Sequence, residues 1–292
     1  MLTATLQIPL EDLRQPEWQE RYIGGHKRYA TASSVRFLDS CTLVCCSLLA
    51  RKIYLIRFDL RSGSFKTLDS ADTLYAGEKA QTDLCDIDDR GHVITSNCEA
   101  GSLSLYRYGG DKICFVRDLP TRLKGNFCHG ARFFGPDVIV AAMHRDPRGA
   151  HFFDAQTLKK LLYVETDHPA KDICFLPNGS AILVTTAGSP TTKPQEGYVS
   201  ENLLVEVDLK SRSYNILKRQ TYPAGQFDSA VVHEDRLFVV DGGRGCVLVI
   251  DAHTLQQVDQ IDGYDFPHGI DINYGMMAIT SYGTNSIYVR PL

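Results

Sequence analysis

The chain has no apolar stretch long enough to cross a bilayer and no run of Lys or Arg. The first absence excludes a transmembrane helix, which needs about 20 consecutive apolar residues. The second, with a net charge of −4 over 292 residues, removes the long-range attraction that phosphate backbones and anionic lipid would exert. Nucleic-acid and membrane partners are therefore not expected. The opening segment carries Glu11, Asp12, Arg14, Glu17 and Glu20 where a secretory signal needs an uninterrupted apolar core. The nine cysteines are odd in number and contain no Cys-x-x-Cys pair, which argues against a disulfide framework and suits a reducing, cytoplasmic compartment. Most lie in apolar runs, where a thiol behaves as a small hydrophobe; Cys128 stands apart because His129 follows it. HExxH helices, nucleophile elbows, dinucleotide fingerprints and zinc-finger spacings are absent as well. Gly24-Gly25-His26-Lys27-Arg28 lacks the spacing and following helix of a phosphate loop. No long amphipathic helix is present, and only Glu11 to Arg21, after Pro9, reads as a short helical turn.

What the chain does contain is a repeat. An apolar alternating strand, a turn, two further strands and a polar hairpin occur six times. The first strands of the units align on Val35, Leu84, Ala131, Ile173, Ala230 and Ile270, at intervals of 40 to 57 residues. Intervals of that size suit four short strands per unit, the size of a propeller blade. The second strands, such as Asp137 to Met143 and Ala181 to Thr186, are rich in Val, Ile, Leu and Thr, as strands packed between neighbouring sheets must be. The third strand ends in an apolar residue, Asp, two variable residues and Ser or Thr, at Asp59, Asp154, Asp208 and Asp251. An Asp at that place caps the hairpin by accepting a backbone hydrogen bond two residues on, so these carboxylates read as structural.

The sixth unit is one strand short, ending after Ser286 to Arg290. Thr3 to Ile8 alternates as a strand should and fills the gap. The expectation is an all-β chain forming one six-bladed β-propeller, its last blade closed by the N-terminal strand, with blades at about 26–70, 80–118, 127–165, 169–220, 226–262 and 266–292 plus 3–8. A β-sandwich also accommodates many short strands, but it does not explain the repeat.

The stretches Phe266-Pro267-His268-Gly269-Ile270-Asp271 and Phe238-Val239-Val240-Asp241, the latter followed by Gly245 to Asp251, resemble blades of the NHL and YVTN propeller families within a gluconolactonase-like superfamily. The resemblance spans most of the chain and is built from blade-forming residues. It implies functions ranging from partner-binding scaffolds to lactonases, amidating lyases and antibiotic-ring lyases that use a metal near the channel. Two departures stand out. The first blade has no Glu-Gly-Pro opening of the gluconolactonase type, and a three-histidine zinc site like that of the amidating lyases finds only His129 and His268 here.

In a propeller the inner strands start from one face, so the residues just before them gather round one end of the channel. Two positions before the alignment point stand Ser33, Thr82, His129, Lys171, Asp228 and His268, and the next column includes Asp83 and Asp172. Blades three apart face each other across a ring of six, so His129 and His268 should meet, each followed by a Gly that lets backbone come close. Three readings are open for this ring. Two neutral imidazoles with Asp228 or Asp83 make a divalent-metal site; the same histidines serve as an acid and base, with Lys171 stabilising an anion; or all of them bond backbone across the ring and merely seal it. Loops on the same face carry the candidate substrate contacts Asn97, His144, Arg145, Arg244 and Tyr282. Gly188 to Tyr198, which lengthens blade 4, reads either as a lid or as a tolerated insertion.

The expected activity is therefore that of a lyase, hydrolase or isomerase acting on a small polar substrate at the channel mouth, with a divalent metal as the candidate cofactor. A non-catalytic scaffold binding a peptide or protein on its upper face is the alternative.

Overall fold

A computed structural model describes residues 5–10, 21–23, 26–28, 32–121, 127–187, 199–223 and 225–292. The segment Gly188 to Tyr198 and nearly all of Glu11 to Arg21 lie outside the described residues. Every regular element among those described is a β-strand, and none is a helix long enough to span a membrane.

Six four-stranded antiparallel sheets follow one another along the chain. Their inner strands are Ala32–Asp39, Cys85–Ile87, Cys128–Phe133, Ala170–Phe175, Phe227–His233 and Pro267–Asn273. Each inner strand touches the inner strands of the two neighbouring blades, and the sixth returns to the first, so the ring is closed. Closure is completed by Leu6–Pro9, which pairs antiparallel with Ser286–Pro291 in the register Leu6 to Val289 and Ile8 to Ile287.

The apolar runs of the second strands follow from this arrangement, because successive side chains leave a strand on opposite faces and here both faces meet a neighbouring blade. In Thr42–Ser47, Leu43 and Cys45 pack with residues of blade 6 and the N-terminal strand. Val44 and Cys46 pack with residues of blade 2. One apolar cluster fills each of the six gaps between blades. Ile8, buried in the cluster between blades 6 and 1, contributes to closure about as much as any core aliphatic, roughly 1.5–3 kcal/mol.

The turn carboxylates behave as their spacing implies. Asp59, Asp154, Asp208 and Asp251 each accept backbone N–H bonds two residues on, and a hydroxyl bond three residues on from Ser62, Thr157, Ser211 and Thr254 respectively. These bonds favour the ionised form and lower the four carboxyl pKa values.

Candidate active site at the upper mouth of the channel

The inner strands do not begin regularly. The pairing of inner and second strands shifts register between Ala32 and Ser34, Cys128 and Gly130, Ala170 and Asp172, Phe227 and Ala230, and Pro267 and Ile270. The residues passed over include Ser33, His129, Lys171, Asp228 and His268. A bulge re-aims a side chain, and in five blades it falls on the residue that the repeat places at the channel mouth. In blade 2 the strand starts only at Cys85, which leaves Asp83 outside the ladder.

The structure brings five sequence candidates together. His129 and His268 face each other with ring centroids 5.6 Å apart. Asp83 Oδ2 lies 3.8 Å from His129 Nε2, and Asp83 Oδ1 lies 3.8 Å from His268 Nε2. Asp228 Oδ1 is 3.5 Å from the first imidazole nitrogen and 4.0 Å from the second. Lys171 Nζ donates to Asp228 Oδ1 at 3.1 Å. All five side chains are buried.

Both imidazoles are oriented in the same way, each by the neighbouring blade. His129 Nδ1 donates to the Lys171 carbonyl at 2.9 Å, and His268 Nδ1 to the Ser33 carbonyl at 2.7 Å. A carbonyl can only accept, so Nδ1 carries the proton and the Nε2 lone pair of each neutral ring points toward the carboxylates. The following glycines make this contact possible. A Cβ on Gly130 would stand 2.8 Å from the Lys171 carbonyl oxygen, and one on Gly269 would stand 2.7 Å from that of Ser33, the same two oxygens that the histidines use.

The charges are held apart. Burial alone would raise the Asp228 pKa, but the Lys171 ammonium holds it well below the usual carboxylate range. Burial lowers the His268 pKa by more than Asp228 and Asp83 raise it, which keeps the ring neutral. The outcome is a set of acceptors aimed at one another: two imidazole lone pairs and two carboxylates, with Lys171 facing Asp228 alone. Asp228 Oδ2 is buried with no hydrogen-bond partner at all. Asp83, His129 and His268 each offer a ligand atom within 4.8 Å of the others. Two nitrogens and a carboxylate oxygen suit a divalent transition metal or zinc with positions left open, and the orphaned Asp228 oxygen fits a missing cation.

The remaining candidates divide. Tyr282 belongs to the cluster: its ring stacks on His268 at 4.2 Å and its hydroxyl donates to Asp83 Oδ1 at 3.3 Å. Burial, and then the nearby charge of Lys171, push the His144 pKa down to about 2. Arg145 lies over the Phe127 ring at 5.8 Å. Asn97 is engaged within its own blade, donating to Ser104 Oγ at 2.8 Å. Arg244 is on the rim, donating to the Pro223 carbonyl and standing 3.6 Å from Asp241. Cys128 is no nucleophile: burial raises its pKa strongly and its thiol donates to the Gly130 carbonyl.

Three participants were not singled out from the sequence. Cys98 donates its S–H to Asp83 Oδ2 at 3.1 Å, opposite the Tyr282 bond. Phe127 and Phe266 extend the aromatic wall, Phe266 stacking on Tyr282 and Phe127 packing against His129 and His144. A signal for the phenylalanines exists, since Phe127-Cys128-His129-Gly130 and Phe266-Pro267-His268-Gly269 are two copies of Phe-x-His-Gly in opposed blades. For Cys98 there is none beyond its place one residue after a second strand.

No protein-family model and no curated protein matches the chain. Solved structures do. Hydrazine synthase of Kuenenia stuttgartiensis superposes with a TM-score of 0.62 at 10% identity, over 96% of this chain and 99% of that one. The calcium-binding protein regucalcin of Agrobacterium tumefaciens gives 0.62 at 13% identity, over 94% and 93%. A catalytically inactive histidine-to-alanine variant of Staphylococcus aureus virginiamycin B lyase, solved with quinupristin, gives 0.61 at 10% identity, over 99% of both chains. At such identities the likeness carries the architecture alone: this chain is a six-bladed β-propeller whose structural neighbours include regucalcin and streptogramin B lyases.

Proposed function

We propose that this propeller is an enzyme for a small polar substrate, working at the upper mouth of its channel with a divalent metal ion held by Asp83, His129 and His268. One observation carries the proposal: two imidazole lone pairs, each fixed by an Nδ1 bond to the next blade, face two carboxylates across a buried space. Acceptors opposed in this way repel unless a cation or a proton lies between them. Burial acts against protonating His268, so a metal ion answers the geometry better than an imidazolium. The same electrostatics weigh against the metal-free pair of histidines, since a buried His268 that keeps its one proton on Nδ1 has none at Nε2 to give as the acid.

A bound divalent ion would supply Lewis-acid polarisation of a substrate oxygen or of water. The chain's own groups do the rest. Lys171 offers the cation that stabilises negative charge developing beside Asp228. Tyr282 and Cys98 hold the two oxygens of Asp83, and the backbone carbonyls of Ser33 and Lys171 fix the rotation of the imidazoles. The aromatic wall of Phe127, Tyr282 and Phe266 keeps water from the cluster. The neighbours' names, a calcium-binding regucalcin and a lyase inactivated by loss of a histidine, fit a metal-assisted lyase, hydrolase or isomerase.

Calorimetric titration with Zn²⁺, Mn²⁺, Mg²⁺ and Ca²⁺ tests the assignment. One equivalent of at least one ion should bind to the wild type, and affinity should fall at least 100-fold in His129→Ala and His268→Ala. Absence of binding at millimolar concentrations, or equal binding by the variants, overturns it.

A further inference from the structure

Buried polar atoms without a partner are few in folded proteins, and each calls for an explanation. Here several gather at the upper end of blade 5. Gln226 is 4% exposed, yet neither its Oε1 nor its Nε2 has a hydrogen-bond partner. Asp241, fully buried, has an Oδ2 in the same condition, and Asp228 Oδ2 is the fourth such atom. They belong to one corner. Asp241 Oδ1 accepts the backbone N–H of Gln226 at 3.1 Å, and the negative charge of Asp228 contributes to raising the Asp241 pKa. The Gln226 side chain lies beside Gly243, where a Cβ would meet its Oε1 at 2.9 Å.

We infer that this corner is a recognition subsite for a neutral carboxamide edge, an N–H donor and a C=O acceptor side by side, on the molecule that enters the channel. The charges argue for neutrality. Asp241, the carboxylate bonded to the Gln226 backbone, has the Arg244 guanidinium at 3.6 Å from Oδ2, so it calls for no further cation. Hydrogen bonding sets the rest. A glutamine amide unsatisfied at both ends is complementary to another amide edge, donating from Nε2 to its carbonyl and accepting at Oε1 from its N–H. The second N–H of a primary carboxamide then has Asp241 Oδ2 to bond. Such a group satisfies three of the four orphaned atoms at once. A site built to hydrogen-bond a ligand rejects analogues that lack the donor, because its own groups are then left unpaired. The subsite deepens the proposed function, resting on it for the claim that a substrate enters here, while binding at the corner requires no metal.

Protein-observed NMR titration of the full chain with propanamide, and with N,N-dimethylpropanamide, which keeps the carbonyl but has no N–H, tests the inference. Propanamide should saturate in the millimolar range and shift resonances of the Gln226 to Asp228 and Asp241 to Gly243 segments. The dimethyl compound should bind at least tenfold more weakly. Gln226→Met, which keeps the side-chain length but removes both polar atoms, should weaken propanamide at least fivefold. Asp241→Asn serves as a second variant if Gln226→Met fails to fold, with a smaller loss of the same sign. Equal binding of the two compounds, no effect of either folded variant, or no saturation by propanamide, as expected if the corner only holds water, overturns the inference. A parallel Zn²⁺ titration of Gln226→Met separates the two ideas, since metal affinity should be unchanged whether or not the amide binds.

Discussion

The two layers of charge in the channel are both buried, both ring-shaped and built by the same inner strands, yet they differ in how far their polar atoms are satisfied. The upper layer is Asp83, His129, Lys171, Asp228 and His268. The lower one is Arg36, Asp86, Arg132 and Asp271, each three residues or about 10 Å further along the chain, joined by Asp172, which directly follows Lys171. In the lower layer donors meet acceptors. Asp86 accepts from Phe133 N and Arg36 Nε, Asp271 from Phe37 N, and Asp172 from Ile173 N, Ser229 Oγ, Ala230 N and Arg132. Both guanidiniums also donate to backbone carbonyls of other blades. Aspartates come from blades 2, 4 and 6 and arginines from blades 1 and 3, so that layer stitches the ring together. The upper layer, by contrast, faces acceptors with acceptors and leaves a carboxylate oxygen orphaned. A buried polar network with its bonds complete holds a fold, and one left incomplete is a candidate place for a ligand.

The largest effect that would break this contrast is on metal binding. His129→Ala and His268→Ala should lose at least 100-fold in divalent-metal affinity while unfolding in urea within about 1–2 kcal/mol of wild type, since each removes one neutral hydrogen bond and a modest volume. A collapse of stability in either variant would place the upper layer in the same structural class as the lower one.

Arg132→Met is the complementary test. It removes the cation that joins Asp172, Asp86 and three blades, leaving buried carboxylates uncompensated, and should destabilise the chain by about 3–5 kcal/mol. Provided the variant is still folded, its metal affinity should stay near wild type. Urea denaturation and the same calorimetric titration read both outcomes.

Much of this was legible beforehand. The period of the repeat, the Asp turns and the missing sixth outer strand are local patterns, and local patterns survive in a sequence read by eye. The opposition of His129 and His268 followed from counting blades. What the sequence did not disclose depends on details of backbone. Bulges decide that His129 and not Cys128 faces the channel, and the late start of blade 2 at Cys85 turns Asp83 toward the histidines. Cys98 and Tyr282 reach Asp83 from the residues just past second strands, where nothing in composition distinguishes a solvated loop tip from a side chain leaning over the axis. Asn97, one residue before Cys98, shows the difference: its amide is engaged by Ser104 within the blade. The lower layer was written in the columns after the alignment point, as Arg36 and Arg132 in alternate blades, but its meaning lies in partners from other blades.

Gly130→Ala probes how far the histidine geometry depends on space alone. Its φ is not in the left-handed region, so the added Cβ acts through what it would crowd, first the Lys171 carbonyl oxygen at 2.8 Å and then the Ala142 Cβ at 3.0 Å. Displacing that carbonyl weakens the support of a ligand rather than the ligand itself, and such changes typically cost 10–100-fold in metal affinity, here with a stability loss of about 1–3 kcal/mol. Gly109→Ala is the control: nothing lies near its added carbon, and both measurements should match wild type within about 0.5 kcal/mol.

The subtlest distinction between the layers is in their response to pH. In the lower layer blade 5 contributes Val231 where blades 1 and 3 contribute arginines, so three carboxylates share two guanidiniums. Burial raises Asp86 and Asp172 to about 6, with Arg36 opposing the shift in each. A carboxyl whose folded pKa is raised holds a proton that the unfolded chain has already lost, so its contribution to stability declines as pH rises from the unfolded value near 4 to about 6 and is level above that. Asp228 has the opposite sign: its lowered pKa stabilises the fold at every pH above the unfolded value and is lost only in stronger acid. Between about pH 4 and 6, the unfolding free energy of wild type minus that of Asp86→Asn should therefore fall with rising pH, by at most about 1.4 kcal/mol per unit. The corresponding difference for Asp228→Asn should have the opposite sign, rising slightly up to about pH 5 and flat above it. Urea denaturation at half-unit pH steps resolves the two slopes, and a flat profile for Asp86→Asn would show that the lower layer carries its full complement of charge at neutral pH without strain.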